Sequence, residues 1–331
     1  MTQIGDLSEQ ALLDNIRPLL PLGAHTLLGS GDDCAVVAAP GGSFTISSDV
    51  LVEGQHFRRD WSNGYQVGSR AAAQNLADIA AMGAVPTALV VSLVLPSDLP
   101  LAWLTDLASG LGSEVQVTGA GIVGGDMVRG EQLVVSVTAC GYCAGAPVVR
   151  SGARPGDTIA IAGTLGRSAA GLAALTSGEV GGALSGTDVP FPFTEAVEIY
   201  RHPQPPLSAG PLAATRGANA MMDISDGLVL DASRMAAASG VVIELGSDLL
   251  RPDLVPLEAA GKALGVDPLQ WALYGGEDHS LLVAFPPTTL VVDPFRTIGV
   301  VGKATPEAPA GMVRLDGKVL SPDKGWDHFQ G

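Results

Sequence analysis

Apolar residues gather into runs along this chain, and the period and punctuation of those runs define its elements. Ser8 to Leu20 predicts a short helix with Ser8 as its N-cap. Cys34–Ala39 and Ser43–Leu51 are strand-like, joined by the turn Pro40-Gly41-Gly42. Residues 65–82 are Ala-rich and suit a helix ending at Gly83, and a β-branched, Leu-rich strand follows over Thr87–Leu95. Residues 100–113 predict a helix with Pro100 near its start, and Leu133–Tyr142 another buried strand. The turn-rich Ser151-Gly-Ala-Arg-Pro-Gly156 marks a boundary that divides the chain into domains 1–150 and 151–331. Beyond it come a strand over Thr158–Ala162 and a helix opened by Gly163-Thr-Leu-Gly166 and running to about residue 176. A Gly-, Ser- and Pro-rich mobile loop is expected over 177–192. Ala220–Ile224, a helix over Gly227–Ser239, Val241–Leu245 and strands near 279–285 and 297–302 complete the pattern. The order is mixed α and β with short connections, an α/β fold with mixed sheets.

Two uncharged spans, 79–97 and 132–149, are long enough to be considered as membrane segments. The first contains Pro86 and is flanked by Asp78 and Asp98 instead of basic residues, and the second is broken by Gly141, Gly145 and Pro147. Both read better as doubly buried strands with their turns. No basic start leads into an apolar stretch at the N-terminus, so no membrane association and a cytoplasmic location are expected. The formal charge of −16 disfavours nucleic acid and anionic lipid as partners. A polyanion such as ATP needs Arg or a bound divalent cation to reach so acidic a body. No Lys precedes Lys262, and the later Gly-Lys pairs lack the spacing of a lysine-bearing phosphate loop. The three cysteines suggest no disulfide framework, and Cys140-Gly-Tyr-Cys143 reads as two small apolar residues near a strand end.

Aspartates carry the candidate chemistry. Asp78 is the one charged residue between Arg70 and Asp98, so its carboxylate must face water, accept hydrogen bonds or bind a cation. Asp223-Ile-Ser-Asp226-Gly227 lies at a strand-to-helix turn. Ser225 or Asp226 could cap the helix, but Asp223 exceeds what a cap needs. Ser47-Ser48-Asp49 ends a strand, with Ser47 and Asp49 on one face. Asp33 follows Gly31-Asp32, and Asp126 follows Gly124-Gly125, where a backbone can approach a phosphate closely. Each alone could be a turn residue. Together, in segments poor in charge, they suit magnesium, which takes oxygen ligands and bridges carboxylates to substrate phosphates.

As a set these segments resemble the thiamine-monophosphate kinase family. Gly31-Asp-Asp-Cys-Ala35, Ser47-Ser-Asp-Val-Leu-Val-Glu-Gly-Gln-His56-Phe57, Asn75-Leu-Ala-Asp78-Ile-Ala-Ala-Met-Gly-Ala84, Gly124-Gly-Asp126, Asp223-Ile-Ser-Asp-Gly-Leu228, Gly275-Gly-Glu-Asp278 and Gly325-Trp-Asp-His-Phe329 occur in its order and spacing. The resemblance implies the two-domain fold of aminoimidazole ribonucleotide synthetase. It assigns dimerisation and Mg-ATP binding to the N-terminal domain of a homodimer, and completion of the metal and substrate site to the C-terminal domain. The implied reaction is direct transfer from ATP to thiamine monophosphate, giving thiamine diphosphate and ADP, assisted by several magnesium ions. The implied metal ligands are Asp33, Ser47, Ser48, Asp49, Asp78, Asp126, Asp223 and Asp226, with Asp226, Asp78 and Asp126 central to catalysis. Gly125, Asp126, Arg150 and Ser225 are implied at the nucleotide, and His56, Glu277 and Trp326 at the substrate. A carboxylate and an aromatic face suit a cationic thiazolium. By their residue types alone, Trp326 could equally anchor the tail, His56 lie on the surface, and Arg150 merely follow a buried strand.

Two departures stand out. His279-Ser280 replaces the Tyr-Glu common after Glu277-Asp278, and Trp103 is the sole aromatic residue of the helix before Gly124, where some members carry a Tyr. A selenophosphate synthetase-like reaction is disfavoured, because the first Cys is Cys34 and the first Lys is Lys262. A magnesium-dependent phosphatase and a non-catalytic, cation-stabilised binding protein are the rival classes.

Overall fold

The computed structural model describes residues 2–29, 35–180 and 189–325. The described residues form two compact units. One draws on 2–79 and 84–144, the other on 80–83, 145–180 and 189–325.

The first unit begins with α1 (Glu9–Ile16), capped by Ser8, whose hydroxyl accepts from the Ala11 amide at 3.3 Å. A small antiparallel pair follows, β1 (Thr26–Leu28) with β2 (Val36–Val37). Then come β3 (Thr45–Val52), α2 (Gly64–Ala81), β4 (Val85–Leu95), α3 (Leu101–Gln116), β5 (Gly121–Arg129) and β6 (Val134–Tyr142). The last four strands named β3 to β6 form one sheet in the order β3-β6-β4-β5, antiparallel except for β4 with β5. Its two faces differ. Leu51, Leu89, Val91, Leu93, Val135, Val137 and Ala139 are buried, whereas Ile46, Ser48, Val50, Val90 and Ser92 are exposed. Strand β5 has no counterpart in the apolar pattern, because its centre is Gly124-Gly125-Asp126. A Cβ on Gly125 would come within 2.0 Å of the Val91 carbonyl oxygen, so glycine is needed there for β5 to pair with β4.

Helix α2 is buried beyond its first turn. From Val67 to Ala81 the single residue that is not buried is Asp78. Its crossing with α3 is close enough for backbones to touch. A Cβ on Gly68 would meet the Leu107 carbonyl oxygen at 2.0 Å, and one on Gly110 would meet the Tyr65 carbonyl oxygen at 2.0 Å. Gly110→Ala is therefore expected to destabilise the chain by about 2 kcal/mol or more, despite alanine's better helix propensity. A denaturant midpoint equal to that of the unaltered chain would show that the crossing has room.

The second unit contains β7 (Thr158–Ala162), α4 (Arg167–Ser177), α5 (Thr194–Arg201), α6 (Ala209–Thr215), β8 (Ala220–Ile224), α7 (Leu228–Ser239) and β9 (Val241–Leu245). It continues with α8 (Arg251–Leu254), α9 (Glu258–Leu264), α10 (Pro268–Tyr274), β10 (Ser280–Phe285), β11 (Phe295–Lys303), β12 (Val313–Leu315) and β13 (Lys318–Leu320). The strands form one sheet, β13-β12-β9-β11-β7-β10-β8, in which only β12 with β9 is parallel. Both faces are covered. Ile159, Ile161, Met222, Ile224, Leu282 and Ala284 pack with Leu228, Val229, Ala232 and Met235 of α7. The alternate residues Ala160, Ala162, Met221, Leu281, Val283 and Phe285 pack with Ala209 and Ala213 of α6. Two covered faces explain why these strands read as unbroken apolar runs. The loop expected over 177–192 lies partly outside the described residues, which resume at 189.

No described helix is long and apolar enough to cross a membrane. The span 79–97 is the end of α2 with β4, and 132–149 contains β6.

Candidate active site

In the first unit, β3 and α2 bring Ser47, Asp49 and Asp78 to one face of the sheet. Ser47 Oγ donates to Asp78 Oδ2 at 2.5 Å. One turn earlier on α2, Asn75 Oδ1 accepts from the Asp49 amide at 3.0 Å, and its Nδ2 donates to the Ala71 carbonyl at 2.8 Å. Asn75 thus fixes the strand segment that carries Asp49. Asp78 is placed on an otherwise buried helix, where a carboxylate persists only with polar partners.

Ser48 points to the opposite face, where its hydroxyl bonds the Val137 carbonyl and Thr138 Oγ1, each at 3.0 Å. Asp126 is also remote from Asp49. Asp49, Val137, Val91 and Gly125 form one register row across the sheet, which separates its two edges by three strand spacings, about 14 Å. By register Asp126 shares the outer face with Ser92, Ser136 and Val50, and its Oδ1 accepts from the Met127 amide at 2.9 Å. By register, Asp126 and Asp49 thus leave the sheet from opposite edges and opposite faces. His56 sits in the turn after β3, where Nδ1 accepts from the Val52 amide at 3.1 Å, so the neutral ring carries its proton on Nε2.

In the second unit the edge strand β8 carries Asp223 next to its last residue, and the turn into α7 carries Ser225 and Asp226. The loop 275–279 lies against this turn. Glu277 N donates to the Ser225 carbonyl at 2.9 Å, and a Cβ on Gly276 would reach that same oxygen at 2.0 Å. Glu277 and His279 both have positive φ, 69° and 53°, a conformation that costs about 1–3 kcal/mol and recurs at functional sites. His279 is buried between two carboxylates. Nδ1 lies 3.5 Å from Asp223 Oδ2 and Nε2 lies 3.9 Å from Glu277 Oε2. The tail also returns here, since a Cβ on Gly325 would lie 3.0 Å from the Asp226 carbonyl oxygen. Arg150 is exposed, and its carbonyl accepts from Ser239 Oγ at 3.0 Å. Asp33 and Trp326 lie outside the described residues.

Sequence reasoning passed over Asp231 and Arg234. Asp231 is fully buried in α7, and its Oδ2 accepts from the amides of Ser225 at 3.1 Å and Asp226 at 3.0 Å. Arg234 Nη1 donates to Asp231 Oδ1 at 2.7 Å and to Asp226 Oδ2 at 2.6 Å. The signal was present: Leu228, Ala232 and Met235 mark a buried stripe, and Asp231 is a carboxylate on it. Burial, with Asp223 and Asp226 nearby, pushes Asp231 up to about 6 against the amide and Arg234 contacts.

Asp278 anchors the start of α4 instead of facing the site. It accepts from Thr164 Oγ1 at 2.8 Å and from the amides of Arg167 and Ser168 at 3.1 and 3.2 Å. Burial nonetheless pushes it up to about 6. The folded chain then binds this proton more readily than the unfolded chain, so the group's contribution to stability falls as pH rises from about 4 through 6 and is flat above. Relative to Asp278→Asn, the unaltered chain is expected to lose on the order of 3 kcal/mol between pH 4 and pH 7. Chemical denaturation at several pH values checks this, and a pH-independent difference between the two proteins would contradict it.

Residues 31–143 match the family model "AIR synthase related protein, N-terminal domain", and residues 154–306 match the corresponding C-terminal domain. A thiamine-monophosphate kinase of Mycobacterium tuberculosis is 44% identical over 98% of this chain and 92% of its own length. Among solved structures, AaThiL complexed with AMPPCP and TMP superposes with a TM-score of 0.78 at 32% identity, covering 99% of each chain. Thiamine-monophosphate kinase from Stenotrophomonas maltophilia K279a gives a TM-score of 0.80 at 29% identity, covering 95% of this chain and 98% of that one. Conserved architecture and near-complete sequence coverage agree: the chain belongs to the thiamine-monophosphate kinase family, of the AIR synthase-related proteins.

Proposed function

We propose that this chain transfers the γ-phosphoryl group of ATP directly to thiamine monophosphate. A phosphate oxygen of the acceptor forms the new P–O bond. The bond from the γ-phosphorus to the β,γ-bridging oxygen breaks, and ADP leaves with its electron pair. The observation that carries this reading is Asp78, the one break in the burial of α2 from Val67 to Ala81, bonded to Ser47 beside Asp49.

The donors present fit magnesium. Ser47, Asp49, Asp78, Asp223 and Asp226 offer only hard oxygens. Among the described residues, no group of three or more His, Cys, Asp or Glu side chains could hold an ion alone. Magnesium does not require such a group, since one or two carboxylates with waters and substrate phosphates complete its octahedron. Bound there, magnesium ions neutralise phosphate charge. Asp49 and Asp78 would hold the nucleotide's metal, with Ser47 adding an oxygen and Asp33 belonging to the same set. Asp223 and Asp226 would hold a second position, beside Ser225 at the nucleotide. Ser48 and Asp126 would each offer an oxygen to metal on the outer face, from opposite edges of the sheet, with Gly125 and Arg150 at the nucleotide. Glu277, His56 and Trp326 would face the acceptor, Glu277 opposing the thiazolium charge. The N-terminal domain, 1–150, is assigned nucleotide binding and dimerisation, and 151–331 the remaining metal and acceptor residues.

A homodimer is supported by the outer face of the first unit's sheet, where Ile46, Val50, Val90 and Val128 are 40–61% exposed. Sedimentation at micromolar concentration separates one chain mass from two, and a single chain mass would reject the dimer.

Label transfer tests the reaction. With γ-labelled ATP and thiamine monophosphate, label should appear in thiamine diphosphate in step with ADP. Release of phosphate from thiamine monophosphate without ATP would instead support a phosphatase.

A further inference from the structure

We propose that Asp231 and Arg234 are a positioning pair for this site, and that Arg234 shares the Asp226 carboxylate with the metal. The proposal rests on the kinase reading only for Asp226 being a metal ligand.

Asp231 is fully buried, yet three donors converge on it: two successive amides, of Ser225 and Asp226, and the Arg234 guanidinium. Two amides on one carboxylate oxygen fix the path of the turn, and with it the direction in which Asp226 leaves the backbone. The other oxygen holds Arg234 Nη1, which also reaches Asp226 Oδ2. Asp226 is therefore set twice, through its backbone by Asp231 and through its carboxylate by Arg234. Such two-point fixing is what phosphoryl transfer asks of a metal ligand, since its rate depends on alignment.

Charge gives the arrangement a second consequence. Asp231 and Arg234 balance each other, leaving Asp223 and Asp226 to match a divalent ion. A guanidinium on Asp226 also opposes a cation approaching that carboxylate. Arg234 thus weakens metal binding while improving its geometry. A purely structural arginine would do neither.

Arg234→Gln and Arg234→Lys separate these roles. Binding of Mn2+, followed by its electron paramagnetic resonance signal in the full chain without nucleotide, is the first readout. In Arg234→Gln, one class of sites is expected to bind Mn2+ about three- to tenfold more tightly, because a positive charge is gone from its ligand. The same class should weaken in Asp226→Asn. The second readout is kcat for ADP formation, expected to fall about tenfold in Arg234→Gln and to recover partly in Arg234→Lys. Unchanged or weaker Mn2+ binding in Arg234→Gln overturns the proposal, as does Mn2+ binding insensitive to Asp226→Asn. Loss of kcat that merely tracks a lowered melting temperature also overturns it. If the unaltered chain binds Mn2+ but does not phosphorylate thiamine monophosphate, the kinase reading fails while the Mn2+ series still decides the role of Arg234.

Discussion

Asp226→Asn is expected to lower turnover about a thousandfold while leaving the chain folded. The substitution keeps volume and shape and removes one negative charge, so its effect falls on a metal-bound phosphate more than on packing. The surroundings support that separation. Asp231 still accepts from the amides at 225 and 226, and Arg234 keeps its contact to Asp231 at 2.7 Å. Circular dichroism and the melting temperature should stay close to those of the unaltered chain while kcat collapses. Near-normal turnover in a well-folded Asp226→Asn protein would remove this residue from the mechanism.

Removing magnesium is expected to have a larger effect still. The chain carries a formal charge of −16, and none of its first 261 residues is lysine. The acidic groups of both units would repel a nucleotide's phosphates unless cations stood between them. EDTA should abolish ADP formation, and excess magnesium should restore it. Full activity in EDTA would overturn the metal reading of these aspartates altogether.

How much of this was legible in the sequence depended on burial. Strands β7, β8 and β9 occupy the ranges their apolar runs predict, because a strand covered on both faces leaves little choice of residue. Strand β5 was not legible. Of its Gly124-Gly125 pair, which read as a close approach to phosphate, Gly125 is required by the close approach of Val91, and the aspartate that follows extends from an edge strand. The short helices α8 to α10 escaped because prolines at 252, 256 and 268 and the glycine at 265 break the period.

The site divides in the same way. Asp78 stood out as a lone charge in an apolar run, and the structure places it as the one break in the buried stretch Val67–Ala81 of α2. The same argument applied to α7 would have found Asp231, but the neighbouring Asp223 and Asp226 made another acidic residue look ordinary. Arg234 carried no signal at all, since its importance lies in its contacts to two carboxylates. That Asp126 lies across the sheet from Asp49 follows from strand order, which motif spacing does not encode.

The most direct test of the account is ADP release from Mg-ATP in the presence of thiamine monophosphate, with thiamine, an aminoimidazole-pathway substrate and no acceptor as controls. The account expects ADP only with thiamine monophosphate, matched mole for mole by thiamine diphosphate. ADP formed only with another acceptor, or with none of them, would contradict it.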